Sequence, residues 1–116
     1  MQVTFVEPDF FVIRLLNSLN ASNATEFQYQ MTAAIRQERY KTVLLDMQQV
    51  ESLDSTGLMA LVYALRLAQA LDKRFTLCSV SQSIRIILEI TQLEQVFETI
   101  ESVAVFEARL CSTILS

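Results

Sequence analysis

Three adjacent polar residues, Asp54, Ser55 and Thr56, are the side chains of this sequence whose types and spacing are best suited to chemistry. They stand before Gly57 and an apolar segment that begins at Leu58. Carboxylate and hydroxyl oxygens in such a place accept hydrogen bonds from the free N–H groups of the first turn of a helix. The simplest interpretation is a polar helix cap, and any further role needs support from the surrounding sequence.

The parts needed for most enzymatic chemistry are missing from the sequence. There is no His, which excludes Ser-His-Asp and Cys-His catalysis and His-ligated metals. The single Gly cannot build a phosphate-binding or dinucleotide-binding loop. Asp46 and Asp54 could pair for acid–base work, but nothing near them suggests a substrate pocket, and we expect Asp46 to hold a neighbouring loop at a strand end. We predict that the protein is not an enzyme and uses no metal or cofactor.

Charge and cysteine usage favour a protein partner over nucleic acid. The net charge is -4, and the nine Lys and Arg residues are scattered, with Lys73-Arg74 the only adjacent pair. A face that binds phosphate backbones needs clustered basic residues, so we predict no direct nucleic-acid binding. Cys78 and Cys111 match no zinc or redox spacing, and we predict that both are small buried apolar residues.

The start of the chain and its most apolar stretch predict a soluble cytoplasmic protein. The first residues alternate in polarity and soon reach Glu7-Pro8-Asp9, which is unlike a secretory signal. The most apolar stretch runs from Gly57 to Leu71, is too short to span a bilayer and contains Arg66 and Gln69. We therefore expect no membrane insertion.

Strand-like and helix-like segments alternate along the chain. Two segments rich in Val, Phe, Ile and Leu flank Glu7-Pro8-Asp9, which predicts an antiparallel hairpin with its turn at the Pro. The alternation that follows predicts an α/β fold, with a mixed central sheet of four to five strands and about four helices packed on it. The predicted strands are 3–6, 10–16, 42–47, 75–80 and, more weakly, 96–100. The first three predicted helices follow 20–22, 54–57 and 81–83, and a fourth lies at the C-terminal end of the sequence.

Two helix starts leave the capping residue open. Asn20 or Ser22 can cap the first helix, and Ser81 or Ser83 can cap the third. The last helix is predicted from an apolar face with helical spacing, formed by Val103, Phe106, Leu110 and Ile114.

The helix behind Ser55 is apolar almost all round. From Leu58 to Leu65 every residue is apolar or Tyr. Such a helix is either fully buried or has one face that serves a partner. Full burial is hard to arrange in a small domain whose helices lie on the outside, which favours the second interpretation.

The segment 53–58, Leu-Asp-Ser-Thr-Gly-Leu, follows a Val-Leu-Leu-Asp strand and resembles the signature of the STAS domain, the fold of bacterial anti-sigma factor antagonists. The resemblance covers nearly the whole chain. The early hairpin, the helix near Ala24 and the approach from Val50 fit in order, and the segment 84–97 is similar to the family stretch LLELTGLxxVF. The resemblance implies a single STAS domain over residues 1–116.

The resemblance also implies a function. In the family, the Ser after the Asp is phosphorylated by an anti-sigma factor that is also a Ser/Thr kinase, and that position is Ser55 here. A PP2C-type phosphatase reverses the modification, and the unphosphorylated form binds the anti-sigma factor and releases its target. Asp54, Thr56 and Gly57, together with Asn20 at the position of a family acidic residue, are then expected partner-binding residues.

The resemblance assigns two faces to the helix behind Ser55. Its inward residues are Leu58, Leu61, Leu65 and Ala68, and its outward residues are Met59, Tyr63, Arg66 and Ala70. Met, Tyr and Arg are favoured in interfaces, so Met59, Tyr63 and Arg66 are predicted to contact the partner. The alternative is that Met59 and Tyr63 pack beneath another element.

The sequence departs from the family pattern at three places. Asn20 replaces the acidic residue before the first helix, which bears on kinase recognition. The family Gly before the fourth strand is replaced near Asp72-Lys73, and the Gly after Thr91 is Gln92. We expect locally different turns at these last two places and no change of fold.

Three functional hypotheses remain at this point. The first is a phosphorylatable antagonist in a partner-switching pathway. The second is a non-switching STAS scaffold, or an accessory subunit of a larger signalling or lipid-transport complex, in which Ser55 is only a cap. The third, a small enzyme, is the weakest because the chain lacks His. A homodimer is left open.

Overall fold

The computed structural model describes residues 2–6 and 10–115, with side chains for residues 10–109. The order of elements is the predicted one, and most boundaries lie within two residues of those expected. The elements are β1 Gln2–Val6, β2 Phe11–Leu15, α1 Ala24–Ile35, β3 Thr42–Asp46, α2 Ser55–Ala70, β4 Arg74–Cys78, α3 Gln82–Ile90, β5 Glu98–Ile100 and α4 Val103–Leu115.

The five strands form one mixed sheet in the order β1-β2-β3-β4-β5. β1 pairs with β2 antiparallel, and the remaining neighbours pair in parallel, which confirms the predicted α/β class. The turn expected at Glu7-Pro8-Asp9 lies outside the described residues. Because α1, α2 and α3 each connect adjacent parallel strands, right-handed crossovers place all three helices on one face of the sheet.

Alternation along the strands divides the apolar core into two clusters. In β3, Val43 and Leu45 pack with the residues of α1, α2 and α3, whereas Leu44 belongs to the cluster under α4. In that second cluster the rings of Phe10 and Phe106 meet edge to face, with centroids 5.0 Å apart. The sheet is therefore covered on both faces, which is why its central strands are continuously apolar.

The buried polar residues of the sheet have defined partners. Asp46 is 3% exposed, and one carboxylate oxygen accepts a hydrogen bond from the N–H of Gln48 at 3.0 Å, as predicted for a residue that holds a loop. Its other oxygen accepts from Arg14 Nε at 3.0 Å, which ties β2 to β3. Beside it, burial raises the pKa of the Cys78 thiol to about 12, so the thiol stays protonated and unreactive. The predicted burial of Cys78 is confirmed, and Cys111 lies outside the described side chains.

The helix starts agree with the sequence in two of three cases. Ser81 caps α3 by accepting from the N–H of Ile84, and Asp54 caps α2. The prediction for α1 was wrong, because its N-cap is Asn23 and neither Asn20 nor Ser22. The side-chain oxygen of Asn20 is instead engaged by the N–H of Ser22 at 2.8 Å.

The two turns that were expected to differ keep a left-handed conformation without Gly. Asp72 and Gln92 have φ angles of 58° and 62°. After α2, the N–H groups of Asp72 and Lys73 donate to the carbonyls of Gln69 and Ala68, which is the Schellman pattern. The residues after α3 form the same pattern. The Schellman hydrogen bonds therefore hold Asp72 and Gln92 in a conformation that Gly adopts more easily, and the difference from the family turns stays a prediction.

Within the part of the chain that the structure describes, no helix has the length and apolar character needed to cross a bilayer.

Candidate functional site

The Ser55 site lies at the carboxyl edge of the sheet, where two loops pair side by side. The loop after β2 and the loop after β3 meet in a parallel bridge between Leu19 and Leu53. The N–H of Leu19 donates to the Ser52 carbonyl at 3.3 Å, and the N–H of Asp54 donates to the Leu19 carbonyl at 3.3 Å. The first turn of α2 therefore starts from a backbone that is fixed on two sides.

Asp54 connects both loops to the helix. Its Oδ1 accepts from the N–H of Gly57 at 2.8 Å, which is the N-cap bond of α2. Its Oδ2 accepts from the N–H of Ala21 at 3.1 Å, in the loop that leads to α1. One carboxylate thus sets the start of α2 and holds the neighbouring loop against it.

Gly57 allows the two segments to approach. A Cβ atom at this position would lie 2.5 Å from the Leu19 carbonyl oxygen and 2.8 Å from its carbon, well inside van der Waals contact. Gly57 is buried in the free chain, and its contact with a partner stays a prediction. The role supported by the structure is to let the loop of Leu19 pack against α2.

Ser55 and Thr56 are left exposed by this arrangement. Because Asp54 provides the cap, neither hydroxyl is needed for it, and within the described residues neither hydroxyl makes a hydrogen bond. The first turn of α2 carries no acidic side chain after the capping Asp54. An anion attached to Ser55 would thus lie in solvent at the positive end of the helix dipole.

The outer face of α2 continues from Ser55 as an exposed surface. Met59 is 62% exposed and Tyr63 is 51% exposed, and Arg66 is exposed one turn further on. The predicted two faces of the helix are confirmed by burial, since Leu61, Leu65 and Ala68 are buried, Leu58 is half-buried against the core, and Ala70 is exposed. The alternative, in which Met59 and Tyr63 pack beneath another element, is wrong.

Tyr63 also borders an open groove between α1 and α2. The groove has a volume of about 500 Å³, and α1 supplies its other wall, including Tyr29, Thr32 and Arg36. Tyr29 is 80% exposed, so aromatic rings of both helices are presented to solvent on this side.

Asn20 is half-buried beside the site. Its N–H donates to the side-chain oxygen of Asn23 at 2.9 Å, and the Asn23 amide donates to the Ser18 carbonyl at 2.8 Å. These bonds make the loop before α1 a closed turn whose Ala21 contacts Asp54. The structure thus brings Asn20 to the same edge as Ser55.

Sequence reasoning missed the partners that hold the site together. Leu19 and Ala21 act through backbone atoms, and a backbone hydrogen bond cannot be predicted from the type of residue that makes it. Asn23 stands at the N-cap of α1, but its side chain makes no capping hydrogen bond, so the capping preference of Asn could not distinguish it from Asn20 and Ser22. Among the described residues, no group of three or more Cys, Asp or Glu side chains is arranged to hold a metal ion.

Comparisons with known proteins agree on one fold. A family model described as the STAS domain matches residues 2–105. A solved anti-sigma-factor antagonist (STAS) domain protein from Planctomyces limnophilus is 22% identical, with a TM-score of 0.78, over 95% of this chain and 96% of that one.

Two further structures extend the comparison. The Bacillus cell fate determinant SpoIIAA is similar in its unphosphorylated and phosphorylated forms, each at 18% identity and a TM-score of 0.71, over 94% and 93% of this chain and 98% of that chain. The murine anion transporter Slc26a9 is 19% identical with a TM-score of 0.70, over 90% of this chain and 18% of the transporter. The same fold therefore occurs alone and as part of a much larger protein.

Proposed function

The chain belongs to the STAS domain family, and from that premise we propose that it is an anti-sigma factor antagonist whose switch is phosphorylation of Ser55. In this account the unphosphorylated form binds an anti-sigma factor that is also a Ser/Thr kinase, and so releases the target of that factor. Phosphorylation abolishes the binding, and a PP2C-type phosphatase restores it. The protein acts by binding and not by catalysis, in the cytoplasm, as one domain over residues 1–116.

The exposure of Ser55 is the observation that carries the proposal. A hydroxyl in the middle of a cap would be protected by its hydrogen bond, but here Asp54 takes that role and Ser55 is exposed. A kinase needs such access to the hydroxyl oxygen. The site is also rigid, since Asp54 and Gly57 fix the backbone on either side of Ser55.

The switch works through electrostatics. A phosphate on Ser55 adds about -1.5 to -2 charges near neutral pH. In the free protein this charge is solvated and meets the positive end of α2, so the fold tolerates it. In the complex the same charge must be desolvated against the partner. A cost of about 3 kcal/mol is enough to lower the affinity roughly a hundredfold.

The outer face of α2 supplies the apolar part of the interface. Met59 and Tyr63 offer exposed apolar area next to Ser55, and Arg66 adds a cation. Aromatic, Met and Arg residues are enriched in the centres of interfaces. Replacing Tyr63→Ser is expected to weaken partner binding while the melting temperature changes little, because the ring is half-exposed.

Asn20, Asp54 and Thr56 form the rim of the proposed interface. Thr56 is exposed next to Ser55, and Asn20 lies on the loop that Asp54 holds. The carboxylate of Asp54 is occupied by two backbone N–H groups, so its main contribution is to position Ser55.

Phosphorylation by the cognate kinase tests the proposal. We expect incubation with ATP and the kinase that copurifies with the chain to add one phosphate, located on Ser55 by peptide mass spectrometry. Ser55→Ala abolishes the modification, and Thr56→Ala, the matched control at the neighbouring exposed hydroxyl, retains it. Phosphate on Thr56 in the wild type, or equal labelling of the Ser55→Ala variant, contradicts the proposal.

The second candidate is a non-switching accessory role, favoured by the likeness to one segment of Slc26a9. In that case the chain works as a scaffold in a signalling or lipid-transport assembly. Ser55→Ala and Ser55→Asp then leave every partner interaction unchanged.

A further inference from the structure

The end of α1 and α2 that lies away from Ser55 contains a pocket with a surplus of positive charge. We call it the basic pocket, and it has a volume of about 700 Å³. Its lining residues are Arg36, Glu38, Lys41, Leu67, Leu71 and Lys73. Three cations face one carboxylate there, although the whole chain has a net charge of -4.

The fold gathers these cations from three separate segments. Arg36 is the C-cap of α1, Lys41 lies directly before β3, and Lys73 follows the end of α2. The N–H of Arg74 donates to the Lys41 carbonyl at 2.9 Å, which brings the last two segments together. The Lys73 ammonium also donates to the carbonyl of Gln37. Residues that are scattered in the sequence therefore form one patch.

The positive charge of the basic pocket is poorly compensated. Partial burial and the nearby Lys41 ammonium lower the pKa of Lys73, and Glu38 opposes this effect only in part. The ion pairs Arg14–Asp46 and Arg74–Glu98 lie elsewhere. A bound anion would thus be attracted by three cations, which the single carboxylate of Glu38 balances only in part.

Two apolar side chains, Leu67 and Leu71, also line the pocket. Leu67 is half-buried and Leu71 is 43% exposed, and both come from the same face of α2, one helical turn apart. A ligand that uses the whole pocket must therefore combine negative charge with an apolar group.

We propose that the basic pocket binds a short acidic peptide segment of a partner protein, with a large apolar side chain seated on Leu67 and Leu71 and carboxylates facing Arg36, Lys41 and Lys73. A nucleic acid fits less well, because its phosphate backbone offers no apolar group to Leu67 and Leu71. The site does not depend on phosphorylation, since Leu67, its nearest residue on α2, lies roughly 18 Å along the helix from Ser55.

A synthetic peptide tests the inference directly. The probe is a fluorescein-labelled peptide of glutamates around a central Phe-Leu pair, and its control has every Glu replaced by Gln. Fluorescence anisotropy at low ionic strength is expected to show binding of the acidic peptide only. The double variant Lys41→Gln, Lys73→Gln is expected to weaken it about tenfold, from the loss of two surface charge pairs.

Three controls separate the proposal from its alternatives. Arg85→Gln removes an exposed cation on α3 and should leave the affinity unchanged, and melting curves verify that each variant is folded. Ser55→Asp should bind the peptide as tightly as the wild type does. A failure of the peptide-binding proposal can therefore be distinguished from a failure of the proposed phosphorylation switch. Equal binding of the glutamine peptide, equal weakening by Arg85→Gln, or tighter binding of phosphatidylglycerol vesicles or oligo-deoxythymidine through Lys41 and Lys73 would overturn it.

Discussion

The two ends of α2 place different demands on the backbone, and different residues meet them. At the first end, the Leu19 loop packs so close to the helix that position 57 has no room for a Cβ atom, and Gly57 stands there. At the other end, the chain turns through a left-handed residue, and Asp72 occupies that place with φ of 58°. The sequence contains a single Gly, and it is used at the first end.

The difference shows which constraint is the stricter. A left-handed φ costs a residue other than Gly roughly 1–2 kcal/mol, and Asp is among the residues that tolerate it best. A Cβ placed 2.5 Å from a backbone oxygen is not tolerated in the same way, because neither atom can rotate away from the clash. The Ser55 end is therefore built for a fixed backbone with exposed hydroxyls, and the far end tolerates strain.

Gly57→Ala should have the largest effect on stability. The added Cβ forces the Leu19 loop away from α2, and overpacking of this kind costs about 2–3 kcal/mol in the free energy of unfolding. Urea denaturation measures it, with Ala60→Gly as a control for the presence of a Gly in the same helix. A loss below about 0.5 kcal/mol would show that the loop moves freely and that the Ser55 end is not rigid.

Asp54→Ala should have the next largest effect. It removes the N-cap of α2 and the bond to Ala21 together, for a loss of about 1–2 kcal/mol. Asp54→Asn keeps one acceptor oxygen and should lose less than Asp54→Ala. Equal losses in the two variants would mean that the charge of Asp54, and not its hydrogen bonds, holds the site.

Gly substitutions at the left-handed residues that follow α2 and α3 should stabilise the fold. Asp72→Gly and Gln92→Gly relieve the left-handed conformation, and after the entropy cost of Gly we expect a gain of about 0.5–1 kcal/mol for each. The matched control is Ala70→Gly, two residues away but inside the helix, which should cost about 1 kcal/mol. Destabilisation by all three would indicate that the side chains of Asp72 and Gln92 stabilise the turns.

A charge at Ser55 should have the smallest effect. Because Asp and Asn have nearly the same shape, comparing Ser55→Asp with Ser55→Asn isolates the effect of the negative charge. The helix dipole stabilises that charge, and repulsion from the nearby Asp54 destabilises it. We expect the free energies of unfolding of the two variants to differ by less than about 0.5 kcal/mol. The difference should shrink in high salt. A large loss specific to Ser55→Asp would mean that this end does not tolerate an anion.

The sequence predicted the elements better than the contacts between them. The apolar run and the polar Asp54–Gly57 segment were enough to place α2 and its cap, because these depend on neighbouring residues, and the resemblance to the STAS domain assigned the two faces of the helix. The approach of Leu19 to Gly57 and the gathering of Lys41 with Lys73 depend on how distant segments are brought together. The N-cap of α1 was missed for a different reason, since Asn20, Ser22 and Asn23 are equally suited by type and only the Asn20 turn decides between them.

The account depends on an anion at Ser55 that blocks docking and leaves the fold intact. Titration calorimetry of the cognate anti-sigma factor kinase against the unmodified and Ser55-phosphorylated chain, with a melting curve of each, measures both parts at once. The account predicts an affinity at least roughly a hundredfold lower after phosphorylation and a nearly unchanged melting temperature. Equal affinities, or a lost affinity accompanied by unfolding of the phosphorylated chain, would contradict it.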